Sequence, residues 1–204
     1  MSLSPEIRSQ LTLPAICAPM FLCSGVDLAV ACCQAGIVGS LTRNNSRDLQ
    51  ALAADLSAVA EQLSRFADAN PAAIIGPLAV NIEPKYSNTE LREHIDLCKR
   101  YSVQIIITSV GNPSGIAPLI KDSGMLHYHD ATTLRFAEKA IAAGVDGIIA
   151  IGSGGGGHAG TLSHLAFIPA LRQMFDGTII FAGAVSSGAI IRAAEILGAD
   201  LAYL

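Results

Sequence analysis

Six of the nine residues at positions 152–160 are glycine, and the same stretch carries one histidine, His158. It follows the apolar run 147–151, which reads as a β-strand. Glycine lets a backbone approach a ligand closely and adopt positive φ, and successive N–H groups can then face an anion or a ring carbonyl. A neutral histidine at the end of such a loop could take a proton from carbon near neutral pH. The competing reading is a loose surface loop with an incidental histidine. Six glycines would cost too much ordering entropy for that to be the better reading. The loop lacks the Gly-Lys-Ser/Thr of a P-loop and is no convincing dinucleotide fingerprint.

Three weaker features could share its chemistry. Ala18, Pro19 and Met20 follow the first apolar run; proline ends strand pairing and methionine can lie against a flat ring. Val80-Asn81 closes the third run, where an amide offers a donor and an acceptor to a heterocycle. The stretch 181–188 reads as a strand, a small-residue turn and a helix start, a favourable place for phosphate. The first two, taken singly, are matched by a structural role: core packing for Met20, turn capping for Asn81. His127 and His129 flank Tyr128 and would share one side of an extended segment. No acidic or Cys partner stands at metal spacing, so polar lining is expected rather than a metal.

These features need a scaffold that brings the ends of distant strands together. Apolar runs at 15–18, 37–41, 78–82, 103–107, 125–127, 147–151, 178–182 and 201–204 are mostly free of polar alternation. That is how strands buried on both faces of a parallel sheet read. Helical patterns separate them: 48–66 with Leu49, Leu52, Leu56, Val59 and Leu63 on one stripe and Ser46 as expected N-cap, then Asn88 or Thr89 to Arg100, 132–143 and 187–197. At Gly36, Gly144 and Gly198 a glycine ends a helical pattern shortly before the next run, the position that favours left-handed backbone. Such alternation predicts an α/β fold, a (β/α)8 TIM barrel or an open doubly wound sheet. The 204 residues read as a single domain spanning 1–204. They fall short of the barrel's usual length of about 250. Because the chain stops on the apolar run at 201–204, a barrel incomplete at its C-terminal end, part of a longer protein, is expected.

Composition narrows the classes. Charged residues are 15% and the net charge is −4, which argues against nucleic acid or an anionic membrane as partner. The apolar residues form no run of the ~18 that span a membrane. Five cysteines without CxxC spacing speak for a reducing, cytoplasmic setting rather than disulfides or zinc.

Together the four features resemble the nitronate monooxygenase family, formerly called 2-nitropropane dioxygenases, whose plan the flavin-containing enoyl-ACP reductases share. The resemblance runs from about Leu13 to Leu204. The family's Ala-Pro-Met appears as Ala18-Pro19-Met20, its Val-Asn as Val80-Asn81, its Gly-Gly-His-x-Gly as Gly156-Gly157-His158-Ala159-Gly160, and its Ala-Gly-Gly-Ile turn as Ala182-Gly183-Ala184-Val185. The resemblance implies a TIM barrel that binds FMN. Ala18, Pro19, Met20 and Asn81 would lie along the ring and ribityl chain, with Ile151, Gly152, Gly156 and Gly157 beside them. Gly183 and Ala184 would offer backbone donors to the phosphate, and His158 would be the catalytic base. It further implies oxidation of a nitronate-like small molecule by O2 to a carbonyl compound and nitrite. A homodimer is compatible with it.

Three departures stand out. Ile151 replaces the family's frequent Gln, Ala184 replaces a glycine, and the Gly-Thr and aromatic segment that follows strand eight in the family is absent. The alternatives are an NAD(P)H-dependent flavin reductase acting on enoyl thioesters or quinones, and a non-flavin barrel. A Schiff-base aldolase would need a strand-end lysine, and the expected strands carry none.

Overall fold

The computed structural model describes residues 3–157 and 159–204. The apolar runs become eight strands: β1 (Ala15–Ile16), β2 (Gly39–Thr42), β3 (Leu78–Asn81), β4 (Ile105–Thr108), β5 (Leu126–Ala131), β6 (Gly147–Ile151), β7 (Thr178–Ala182) and β8 (Leu201–Tyr203). All neighbours pair in parallel, in the order β1-β8-β7-β6-β5-β4-β3-β2. A parallel bridge between Ile16 and Val38 joins the two ends. Its hydrogen bonds run from Cys17 N to Val38 O (2.9 Å) and from Val38 N to Ala15 O (3.0 Å). The sheet therefore closes into a barrel, as the alternation predicts.

Helix α1 (Pro5–Ser9) precedes the barrel, and α2 (Val26–Gln34), α3 (Leu49–Ala69), α4 (Asn88–Arg100), α5 (Ala117–Ser123), α6 (Leu134–Ala142), α7 (His164–Met174) and α8 (Gly188–Leu197) link successive strands. Strand side chains alternate between two buried environments. Ile16, Ile105, Ile107, Tyr128, Ile149 and Ile180 fill the barrel. Leu41, Val80 and Ile106 face α3 and α4, and Ile148, Ile179 and Phe181 face the helices of the other half. Because both faces are covered, the strands carry no polar alternation. Leu3 and Ile7 join the interior cluster. Gln104, just before β4, donates to Gln10 Oε1 at 3.0 Å. Helix α1 thus closes the amino end of the barrel and leaves the carboxyl end open.

The three joint glycines adopt the left-handed backbone expected of them, with φ of +73° at Gly36, +83° at Gly144 and +107° at Gly198. Elsewhere the expectations need correction. Asp48, not Ser46, caps α3, its carboxylate accepting from Ala51 N at 2.8 Å. Ser46 instead donates to Asp55 Oδ2 at 2.8 Å. Strand β5 outruns the apolar stretch 125–127 because His127, His129 and Asp130 remain in the ladder. Helices α2, α5 and α7 have no clear sequence signature. The first lacks a polar face, the second has seven residues, and the third contains Pro169. Proline leaves the carbonyl of Leu165, four residues earlier, without its donor; Leu165 is exposed, so water can satisfy that oxygen.

Candidate functional site at the carboxyl ends of the strands

Alternation carries one further inward residue past the buried interior on most strands. These are Ala18, Thr42, Asn81, Asp130, Ile151, Ala182 and Tyr203, and they ring the open mouth. The ring holds the strand-end residues expected from sequence, together with Thr42, Asp130 and Tyr203, which the sequence reading did not single out.

Asn81 is tightly held. Its Oδ1 accepts from Thr42 Oγ1 (3.2 Å), and its Nδ2 donates to Ile107 O (3.3 Å) and Ser109 Oγ (3.1 Å). The amide has therefore committed its donors to the barrel wall, and the second lone pair of Oδ1 remains for a ligand. The loop after β1 is braced from two sides. Met20 N donates to Ser24 Oγ (2.8 Å), Ser24 Oγ donates to Ala18 O (3.2 Å), and Leu22 N donates to Asn45 Oδ1 (2.7 Å). Met20 stays 41% exposed, so its thioether is available to a flat ring at the mouth.

The glycines of the loop after β6 divide into two groups. Gly160 N donates to Gly152 O (3.1 Å) and Ser153 N to Leu162 O (3.0 Å), which cinches the loop at its base. A Cβ on Gly152 would strike the His164 ring, and one on Gly160 would strike Ile151 O. A Cβ on Gly154 would sit 2.7 Å from Ala184 Cβ, and one on Gly183 would sit 2.8 Å from Gly154 C and Gly155 N. These glycines let the β6 loop lie directly on the β7–α8 turn. Gly156 and Gly157 have nothing within 4 Å of such a Cβ. Their lack of a side chain has no packing reason within the described residues, which suits a surface kept clear for a ligand. His158, the expected base, lies outside the described residues.

His164 supports this contact from the outer side. It stacks on Phe181 (centroids 3.9 Å apart, 20° between planes), and its Nε2 lies 2.8 Å from Ala182 O. The turn departs from expectation in one respect. Ala184 N donates to Gly154 O at 2.8 Å, so that donor serves the loop rather than an anion. The first turn of α8 offers further donors, since its N-cap Ser187 makes no side-chain cap.

Ala184 also holds φ of +54°, a left-handed backbone that costs an L-residue about 1–2 kcal/mol. Part of that is regained in Ala184→Gly, after the entropy that glycine loses on folding. The variant should be about 0.5–1 kcal/mol more stable, a rise of a few degrees in the thermal midpoint with the urea midpoint moving to higher concentration.

His127 and His129 do not line the mouth. They are buried on the outer face of β5, where His127 Nε2 and His129 Nδ1 each lie 2.7 Å from Thr108 Oγ1. Burial, with His129 alongside, lowers His127 to about 3; burial lowers His129 to about 4. Both are neutral structural groups. The inward residue between them is Tyr128, so the pair takes the face opposite to the one a polar lining requires. At the mouth itself Asp130 is pushed up to about 7 by burial, and Tyr203 is pushed up by burial and by Asp130. A cleft of about 400 Å³ among α3, Tyr101 and Gln104 opens at the amino end instead. Its described lining residues include no carboxylate, histidine or thiol.

The profile of the nitronate monooxygenase family matches residues 7–204. A Rhodococcus jostii protein named (3aS,4S,5R,7aS)-5-hydroxy-7a-methyl-1-oxo-octahydro-1H-indene-4-carboxyl-CoA dehydrogenase is 28% identical over 123 residues, 60% of this chain and 34% of that protein. A Mycobacterium tuberculosis protein named as a monooxygenase is 30% identical over 113 residues, 52% of this chain and 29% of that one. The matches thus extend over about a third of these relatives' length. FabK from Thermotoga maritima superposes with a TM-score of 0.80 at 21% identity, over 96% of this chain and 58% of that one. Nitroalkane oxidase from Streptomyces ansochromogenes gives 0.78 at 21% identity, over 98% and 67%. Both share the barrel fold.

Proposed function

The chain belongs to the nitronate monooxygenase family, and from that premise we propose that it binds FMN across the mouth and oxidises a nitronate-like small molecule with O2 to a carbonyl compound and nitrite. The observation that carries this reading is the seating of the glycine loop on the β7–α8 turn, with Gly156 and Gly157 left open beside it. The residues fit a flavin mononucleotide. The α8 start offers backbone donors to a phosphate, Met20 offers a soft surface to a ring, Asn81 offers an oxygen lone pair, and Asp130 holds an enclosed oxygen without a partner. FMN, when bound, supplies the redox chemistry.

The chain's own task is to place and shelter. Ile151, buried at the mouth, gives an apolar wall where the family often has an amide. It excludes water from one flank of the ring and offers no hydrogen bond there. His158, as the family's base, would take or hold a proton at the substrate carbon. The braced β1 loop and the cinched β6 loop hold ring and substrate in register.

FMN-loaded protein should release nitrite from propionate 3-nitronate or a simple alkyl nitronate in air. Loaded protein that yields none, with the flavin bound and the protein folded, would refute the reaction. The likeness to FabK and to a dehydrogenase keeps a second reading open, an NAD(P)H-dependent flavin reductase. Anaerobic mixing with NADH or NADPH separates the two, because rapid bleaching of the flavin favours the reductase.

A further inference from the structure

Asp130 ends the inward face of β5. Its neighbours there are Tyr128 below, Ile149 as its register partner on β6, Ile151 beyond it, and Tyr203 from β8. Ile107 and Tyr128 are buried in the layer beneath it and Ile149 and Ile151 flank it on β6, so the open side of the carboxyl is the mouth. The residue keeps partial contact with the open end, yet its Oδ1 is enclosed and has no hydrogen-bond partner among the described residues. Barrel stability gives no reason for such a group. An apolar residue at this position would pack against Ile149 and Ile151 without leaving a polar atom unsatisfied.

We propose that Asp130 contacts the FMN ring as the neutral acid, its hydroxyl donating to a ring acceptor, so that cofactor binding takes up a proton at this carboxyl. The proposal rests on the FMN reading. An isoalloxazine edge presents carbonyl oxygens and ring nitrogens, the acceptors a protonated carboxyl needs, and one N–H that the other carboxyl oxygen can accept. Burial pushes the free carboxyl up to about 7, so it is largely ionised above that pH before the ligand arrives. The groups around it do not supply the charge change. Tyr203 is neutral, the Cys17 thiol near the end of β1 is pushed up to about 12, and His127 and His129 are neutral and face outward. Strands β4, β6 and β7 present Ile107, Ile149, Ile151, Ile180 and Ala182 to the interior.

The test is FMN titration of the full chain, followed by flavin fluorescence between pH 6 and 8.5, for the native protein and Asp130→Asn. Linkage predicts that native affinity falls roughly thirtyfold across that range, while the variant loses this dependence. The phosphate of FMN titrates in both proteins and cancels in the comparison. Calorimetry of the native protein in two buffers of different ionisation enthalpy, at pH 8, should show uptake approaching one proton per FMN, and this needs no variant. Equal pH dependence in the two proteins, or no proton uptake, overturns the proposal while leaving FMN binding intact. Failure of the native protein to bind FMN at any pH overturns the cofactor reading as well.

Discussion

Gly183→Ala should weaken FMN binding by about 100-fold, the loss of one or two charge-assisted hydrogen bonds to the phosphate. The residue sits at φ of +125°, which an L side chain rarely adopts. Its new Cβ would lie 2.8 Å from two backbone atoms of the glycine loop, Gly154 C and Gly155 N, and backbone cannot swing aside as a side-chain tip can. The loop must lift, which breaks the bond from Ala184 N to Gly154 O and separates the two halves of the proposed phosphate and ring site. The barrel wall beneath is untouched, so the variant should stay folded, less stable by about 1–3 kcal/mol. Gly156→Ala is the contrasting case. Among the described residues nothing lies within 4 Å of its Cβ, so unfolding of the free protein should not change. Flavin affinity should still drop, because the methyl group occupies part of the proposed ligand surface. Fluorescence titration and urea unfolding on both variants separate these effects. If Gly183→Ala binds FMN as the native chain does, the contact between loop and turn is not part of the site.

That contact was only half legible in the sequence. The density of glycine announces a ligand-facing backbone, and the run of βα units predicts which end of the barrel it occupies. The sequence cannot say which glycines touch protein and which stay clear, because that depends on the spacing of β6 and β7 and on the path of α8. Ala184 illustrates the same limit. As a residue type it differs little from glycine, and only its backbone angle reveals the cost of the exchange. The pattern of the sequence leaves the facing of His127, His129 and Asp130 open. A strand assigns alternate residues to opposite faces, so a one-residue choice of phase decides whether the histidines or the aspartate enter the site. The inward Tyr128 sets that phase, since Gly147 on β6 leaves room for its ring. Polar residues in an apolar run also conceal the true length of β5.

The two histidines make the protein sensitive to acid, and Asp130 moderates that sensitivity. His127 and His129 have folded values of about 3 and 4, below the ordinary 6.5. The unfolded chain therefore binds more protons than the folded one below about pH 6.5. Stability is fully present above that value and is lost as pH falls toward 4, at about 1.4 kcal/mol per pH unit for each histidine. His94, buried beside Arg43 and also lowered, adds in the same direction. Asp130 works in the opposite sense. Its folded value of about 7 lies above the ordinary 3.8, so between these limits the folded state holds the extra proton and gains stability as pH falls. Two histidines against one aspartate leave a net loss of about 1.4 kcal/mol per pH unit, or about 3 kcal/mol from pH 6.5 to 4.5. That is a large share of the 5–15 kcal/mol typical of a folded protein, ~10 at the middle of the range. Urea unfolding at pH 7.5, 5.5 and 4.5 reads it directly. His129→Leu should flatten the slope, since it removes one titrating group and spares the bond from Thr108 to His127. Asp130→Asn should roughly double it, because the compensating proton is gone. A slope that His129→Leu leaves unchanged would mean that the buried histidines are not what acid attacks, and a slope that Asp130→Asn leaves unchanged would mean that the carboxyl at the mouth is ionised in the folded protein well below pH 7.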